Sequence, residues 1–310
     1  MEELAVYSSQ IPIFAQPWWL DAVAPGSWDE VRVERNGELY ARLPYTIVRR
    51  KGFTLLSKPK LTQFLGPWLR PFTGKYVNRL AEEKELLTEL IQKLPPHDIF
   101  QQNFHYSITN WLPFYWKGFS QTTFYTYVID DLSRPDEIWE NMGKNIRTDI
   151  RKAEKTLTVR DDLPLHTLLA LNKMVFNRQG RALPYPPALV ERIDQACATR
   201  NCRKIFFAED HNGNPHAAVY IIWDNQSAYY LMGGGDPALR HSGATSLCLW
   251  EAIKFASTVT KKFDFEGSMI ESIERFFRAF GARQIPYFHV SRSNSMLAKI
   301  GQDVLGWFRR

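Results

Sequence analysis

Arg240-His-Ser-Gly243-Ala244-Thr245 stands between an expected strand and an expected helix, and its residue types suit a phosphate. Backbone N–H groups at a helix start, at the positive end of its dipole, favour an anion. Small side chains let the anion come close, and Arg240 adds a bidentate donor. Donor phosphates held by Arg240, Ser242, Gly243, Ala244 and Thr245 are one reading; a helix capped by Ser242 after a flexible turn is the other. A second constellation is cationic. At about 100° per residue, Lys144, Arg147, Arg151 and Lys155 form one stripe, opposite Ile138, Trp139, Met142, Ile146, Ile150 and Ala153. Such a stripe grips phosphates or an RNA backbone, or is simply a solvated helix face. Third, Asp264 and Glu266 alternate with Phe263 and Phe265 on an expected strand. Glu266, before Gly267-Ser268 and a helix, is placed to deprotonate an amine. Glu266 or Ser268 capping that helix is the competing reading.

These residues need a scaffold, and the chain is long enough for two domains of ordinary size: 310 residues, 45% hydrophobic, 23% charged and 14% aromatic. Gly and Pro are scattered without period, which excludes collagen-like and low-complexity classes. The longest unbroken apolar run, 217–223, is far below the ~20 residues of a membrane helix. MEELAV at the start is acidic and lacks a secretory pattern. Cys197, Cys202 and Cys248 cannot all pair and show no CxxC spacing, which fits a reducing cytoplasm. The net charge of +6 suits an anionic partner without naming one. No Gly-x-Ser-x-Gly elbow, Walker loop, His-Glu-x-x-His or metal-spaced Cys/His cluster occurs, so no metal is expected.

The first third reads as strands over 29–34 and 39–48 around Asn36-Gly37, a strand over 52–57, a helix over 76–94 and a strand over 98–104. A turn-rich aromatic stretch follows to about 119. The second part reads as strand 123–129, helix 133–155, helices 165–178 and 187–200, and strands 204–209, 217–223 and 227–232. A Gly-rich loop over 233–243 opens a helix over 244–257. Strand 262–266, helix 269–280, strand 286–291 and an amphipathic helix over 295–310 complete the chain. Mixed antiparallel strands with one helical crossover argue an α/β (α+β) class, with mixed central sheets flanked by helices. The expected domains are 1–120 and 121–294, followed by the helix over 295–310, which docks on its own domain or touches a membrane surface.

This order, together with several local motifs, resembles the FemAB-like and BioF-like branch of the GCN5-related N-acetyltransferase (GNAT) superfamily. Pro12-Ile-Phe14 with Trp18 and Trp19, Leu43-Pro44 and Gly66-Pro67 sit where the first domain of that branch has such residues. Asn145-Ile-Arg147-Thr-Asp-Ile-Arg151-Lys152-Ala153 is similar to its Arg-x-x-Ile-Arg-Lys-Ala motif. Tyr229-Tyr-Leu-Met-Gly-Gly, Phe263-Asp-Phe-Glu-Gly-Ser268 and Ile273-Glu-Arg-Phe276 through Phe280-Gly281 also fit. The resemblance implies two tandem GNAT-like domains, the first degenerate, and transfer of an acyl or aminoacyl group to an amine of a cell-envelope, sugar or amino-compound acceptor. It implies acyl-CoA (acetyl-CoA included) or aminoacyl-tRNA as donor, Glu266 and Tyr229 as catalytic residues, and Lys144, Arg147, Arg151, Ser268, Arg275 and Arg278 as acceptor-binding residues. Where many members read Phe-Lys-x-x-Phe-Gly, this chain has Phe277 in place of the lysine, and Arg275 and Arg278 point in other helical directions. A catalytically degenerate module that binds nucleic acid or anionic glycan is therefore the alternative.

Overall fold

The computed structural model describes residues 10–267 and 269–295. The expected helix over 295–310 and the candidate residue Ser268 lie outside the described residues. Contacts divide the chain into two units, one of residues up to Phe124 together with those from Pro286 onward, the other Tyr125–Ile285.

The first unit opens with a short 3-10 turn and helix α1 (Pro17–Val23), then β1 (Trp28–Arg35) and β2 (Glu38–Arg50). Asn36 and Gly37 both take left-handed φ values, 54° and 79°, so the strands join through the mirror-image turn that matches strand twist. Strand β3 (Phe53–Ser57), the two-residue β4 (Trp68–Leu69), helix α2 (Tyr76–Lys93), strand β5 (Ile99–Asn103) and helix α3 (Leu112–Trp116) follow. Strands β3 and β5 are parallel, with α2 in the crossover between them. The i, i+3, i+4 spacing of Leu86, Leu87, Leu90 and Ile91 turns one face of α2 onto Val31, Val33, Ala41, Leu43, Leu56 and Phe100. Each such side chain contributes on the order of 1.5–3 kcal/mol when removed from water.

The second unit runs from β6 (Ser120–Ile129), whose later residues belong to it, through α4 (Pro135–Asn141), α5 (Lys144–Ala153), β7 (Leu157–Arg160), α6 (Leu165–Arg178) and α7 (Pro187–Ala198). Strands β8 (Arg203–Asp210), β9 (Pro215–Trp223) and β10 (Ser227–Gly235) form an antiparallel meander. A 3-10 turn, Pro237–Ser242, leads into α8 (Ala244–Ala256), then β11 (Lys262–Asp264), α9 (Glu271–Arg278) and β12 (Arg283–Ser293). The strand order within this unit is β6-β11-β10-β9-β8-β7, and β10 and β11 are parallel. Helix α8 is buried on almost every side, with Leu247, Cys248, Leu249, Ala252 and Ile253 in the core. The expected mixed α/β class is thus the observed one.

Three differences from the sequence reading have physical causes. The helix expected over 133–155 is two helices. Gly143 N–H donates to the Ala279 carbonyl instead of continuing α4, and Lys155 falls beyond the end of α5. The Gly-rich segment expected as a loop is the end of β10: Gly233, Gly234 and Gly235 pair with Val219, Ala218 and Ala217. Residues 286–294, expected in the second domain, lie in the first unit, because His289 through Ser293 pair with β5.

Candidate active site

Strands β10 and β11 pair only from Ser227/Lys262 to Tyr229/Asp264, yet β10 continues to Gly235. Beyond Asp264 the chain instead follows β6, with Phe265 N–H donating to the Tyr127 carbonyl. A bulge at Leu231 bends β10 away from regular pairing with β9 at the same level. Two parallel strands that start together and separate leave backbone groups unpaired beside an opening, which is where a substrate carbonyl finds donors.

On the β10 arm lies a cavity of about 210 Å³ lined by Val175, Arg178, His216, Tyr230, the three glycines, the 3-10 turn with Leu239 and Arg240, and Ser242, Ala244 and Thr245. Of the five residues expected to hold donor phosphates, Arg240, Ser242, Ala244 and Thr245 line it. Beside Arg178 and Arg240 the lining holds a single carboxylate, Asp236, whose Oδ1 already accepts from Ala238 N–H at 2.8 Å. Among the described residues no side chain caps α8 at Gly243, and Ser242 Oγ accepts from Ala244 N–H at 3.3 Å. Two arginines in the lining beside a helix start are a combination that can bind an anion.

Gly243 is needed for a different reason. Its φ is +79°, and a Cβ there would sit 2.4 Å from the Asp149 carbonyl oxygen. Helix α5 therefore runs against the turn, and Lys152 Nζ donates to the His241 carbonyl at 2.8 Å. Gly243→Ala is expected to cost about 2–4 kcal/mol, from left-handed strain plus overpacking against backbone. Urea unfolding of the variant checks this; an unchanged midpoint would mean the turn can step back from α5.

Gly234 plays the matching part on β10, since a Cβ would meet Asn172 N at 2.3 Å. Helix α6 is thereby seated directly on the strand. Asn172 Nδ2 donates to the Gly233 carbonyl at 2.6 Å, and Tyr185 Oη donates to Asn172 Oδ1 at 3.1 Å.

The remaining sequence-expected residues fall elsewhere. Tyr229 is buried, with its hydroxyl donating to Asp224 Oδ2 at 3.4 Å, and does not line the cavity; the neighbouring Tyr230, on the opposite face of the strand, does. Burial raises the Tyr230 phenol above its ordinary range, so it stays protonated as a hydrogen-bond donor. Glu266 stands at the end of the β11 arm with φ +59°. It is half-buried and outside the cavity lining. On α5, Arg147 is half-buried, Lys144 and Arg151 are exposed, and the Arg151 guanidinium lies 5.4 Å from the Trp139 ring centre. Arg275 and Arg278 are exposed and pair along α9 with Glu271 at 3.0 Å and Glu274 at 2.7 Å. Phe277, between them, is buried. Its ring packs edge-on to Tyr230 at 5.9 Å and against Phe265 at 5.1 Å, between one residue from each arm.

Sequence reasoning missed Tyr230, Arg178 and His216. Tyr230 was within reach, because strand alternation sends Tyr229 and Tyr230 to opposite faces, but which face holds the cavity is set by α6. No metal-binding cluster occurs among the described residues. No helix among them is long and apolar enough to cross a membrane.

Residues 140–269 match the family described as "Acetyltransferase (GNAT) domain". The FemX crystal structure is similar over 98% of this chain and 97% of its own, with a TM-score of 0.71 at 14% identity. The C-terminal domain of an Agrobacterium fabrum protein assigned as a lysylphosphatidylglycerol synthetase is similar over 98% and 95%, with a TM-score of 0.56 at 11% identity. A conserved protein of unknown function from Bacteroides thetaiotaomicron is similar over 89% and 90%, with a TM-score of 0.53 at 11% identity. No curated protein matches the sequence. The separating strands, the glycine-lined cavity and the turn into α8 fall within the stretch that matches the acetyltransferase (GNAT) domain family, residues 140–269, and the chain as a whole shares the fold of the FemX structure.

Proposed function

We propose that the protein transfers an acyl or aminoacyl group from a phosphate-bearing donor, acyl-CoA or aminoacyl-tRNA, to an amine of a cell-envelope or sugar acceptor. The observation that carries this is the cavity along β10, whose lining brings together Arg178, Arg240 and the first residues of α8, Ala244 and Thr245. A CoA diphosphate and a tRNA phosphate make the same demand there: N–H groups and guanidinium, with no bulky side chain in the way. The amine nitrogen attacks the carbonyl carbon. A C–N bond forms, the C–S or C–O bond to the donor breaks, and the donor leaves as a thiol or as a tRNA hydroxyl. Backbone N–H groups at the strand separation would hold the oxyanion. Glu266, on the β11 arm of the same separation, takes the amine proton. Positioning two substrates side by side supplies most of the acceleration. The cationic face of α5, Lys144, Arg147 and Arg151, would meet the acceptor's anionic groups. A cytoplasmic location fits the three cysteines, which are free and buried.

Thermal stability with CoA, acetyl-CoA and aminoacyl-tRNA titrated separately tests the reading. A ligand at 100 times its Kd adds roughly 2.7 kcal/mol. A shift with acetyl-CoA selects the thioester, and a shift with charged tRNA alone selects aminoacyl transfer. Arg240→Ala is expected to weaken that ligand roughly 10- to 100-fold, the range of a lost charged hydrogen bond. Silence from all three ligands, with salt-steep binding to a polyanion through α5, would favour a binding module instead. Phe277, packed against Tyr230 at the position where the branch this chain resembles has a lysine, is the feature that favours this second reading.

A further inference from the structure

Twelve large apolar side chains are exposed among the described residues, and six of them fall in two short segments of the first unit. Phe72, Tyr76 and Val77 belong to residues 70–80, and Leu112, Tyr115 and Trp116 to residues 111–117. Tyr76 and Val77 are 66% and 67% exposed, Tyr115 and Trp116 are 60% and 57%. Helices α2 and α3 pack together, Phe114 and Leu87 enter the core, and Lys84 Nζ lies 5.7 Å from the Trp116 ring centre. Tyr76, Leu80 and Lys84 follow at i, i+4 and i+8, so one stripe of α2 runs from its first turn to Trp116. Soluble surfaces scatter such residues singly; a contiguous group marks an interaction site.

Charge identifies what covers it. The two segments hold Arg70, Lys75, Arg79 and Lys117 and no acidic residue. Arg70 pairs with Glu38 at 2.6 Å and Arg79 with Glu83 at 3.6 Å, while the Lys75 and Lys117 ammonium groups are in no ion pair among the described residues. A second copy docked face to face would set these cations against each other. Residues 296–310 carry three cations and one acid, again the wrong sign. A nucleic acid backbone answers the cations but gives Val77 and Leu112 nothing to bury against. The headgroup layer of an anionic bilayer answers both, because amphipathic Trp and Tyr rings settle at that depth, aliphatic side chains reach the acyl boundary and lysines meet lipid phosphates.

We propose that residues 70–80 and 111–117 dock this protein on the surface of an anionic phospholipid bilayer. The docking is independent of donor and acceptor, so it stands or falls apart from the acyl-transfer reading. Flotation of the full chain with vesicles of phosphatidylcholine alone, or with about one third phosphatidylglycerol, tests it. Binding is expected only to the anionic vesicles and to weaken with salt. Tyr115→Ser with Trp116→Ser, and separately Lys75→Glu with Lys117→Glu, are each expected to lower partitioning on the order of tenfold with unchanged Tm. No flotation would overturn the proposal. Flotation indifferent to both pairs of substitutions would move membrane contact to another surface and overturn it equally. A concentration-dependent dimer lost in the Tyr115/Trp116 variant, or RNA binding lost in the Lys75/Lys117 variant without vesicle binding, would replace the bilayer with that occupant.

Discussion

Glu30→Gln is expected to destabilise the first unit by about 3–5 kcal/mol, and Glu30→Gln combined with Arg42→Met to recover most of the loss. Arg42, on β2, is fully buried, and its guanidinium has one counter-charge among the described residues, Glu30 on β1. Arg42 Nε donates to Glu30 Oε2 at 2.5 Å, and Arg32 binds the other carboxylate oxygen. Strand register sets Arg32 directly across from Arg42, two like charges that Glu30 alone holds together. On its other side Arg42 pairs with Trp68 of β4. Burial pulls the Arg42 pKa below its ordinary value, while Glu30 opposes that shift. Removing the carboxylate charge leaves a cation in the dry interior, whereas removing both charges leaves neutral groups of similar volume. A Tm drop of roughly 10 °C for the single variant and a much smaller one for the double is the outcome in calorimetry. Equal losses for both would mean that water reaches Arg42 once Glu30 is gone.

Much of this fold was legible because local signals agreed with tertiary demands. Helix α6 has the bounds its apolar spacing gives, and Asn36-Gly37 makes the turn its φ preferences dictate. What was not legible depends on neighbours far along the chain. The break between α4 and α5 is made by the Ala279 carbonyl, more than 130 residues away. Gly233 through Gly235 read as a loop, since glycine is a poor strand former; they are strand because they pair with Val219, Ala218 and Ala217, and Gly234 is glycine because the α6 backbone leaves no room for a Cβ. Helix α3 is too short to show a period, and its Trp111-Leu-Pro-Phe-Tyr-Trp run reads as irregular. At the candidate site, the turn proposed to hold phosphate was singled out by residue type, and four of its five residues line the cavity, because its pattern is local. The choice of Tyr230 over Tyr229 was not, because it depends on which face of β10 the cavity takes.

Asp264 gives the second unit an inverted pH dependence. The carboxyl is fully buried on β11, accepting from Thr126 Oγ1 and, at 2.8 Å, from the backbone N–H of Glu266. These two bonds hold the left-handed pair Glu266 and Gly267 at the end of the strand, where a Cβ on Gly267 would lie 2.3 Å from the Tyr125 carbonyl oxygen. The other oxygen, Oδ2, is buried with no hydrogen-bond partner among the described residues. Burial outweighs both bonds and raises the pKa from 3.8 to about 7. Because the folded state binds the proton more tightly than the unfolded state, Asp264 costs nothing below pH 4. As pH rises from about 4 to 7, only the unfolded chain ionises there and stability is lost, reaching about 4 kcal/mol once both states are charged. Asp264→Asn keeps an acceptor for Thr126 and Glu266 and has no charge to bury. Its Tm relative to the unsubstituted protein is therefore expected to climb from pH 5 to about pH 7 and then level off. Parallel profiles over that range would show that Asp264 is already ionised at pH 5 in the native state, with a counter-charge or water reaching Oδ2. A climbing difference would identify a group half-charged near neutrality at the base of the strand separation, where it fixes the turn that carries Glu266.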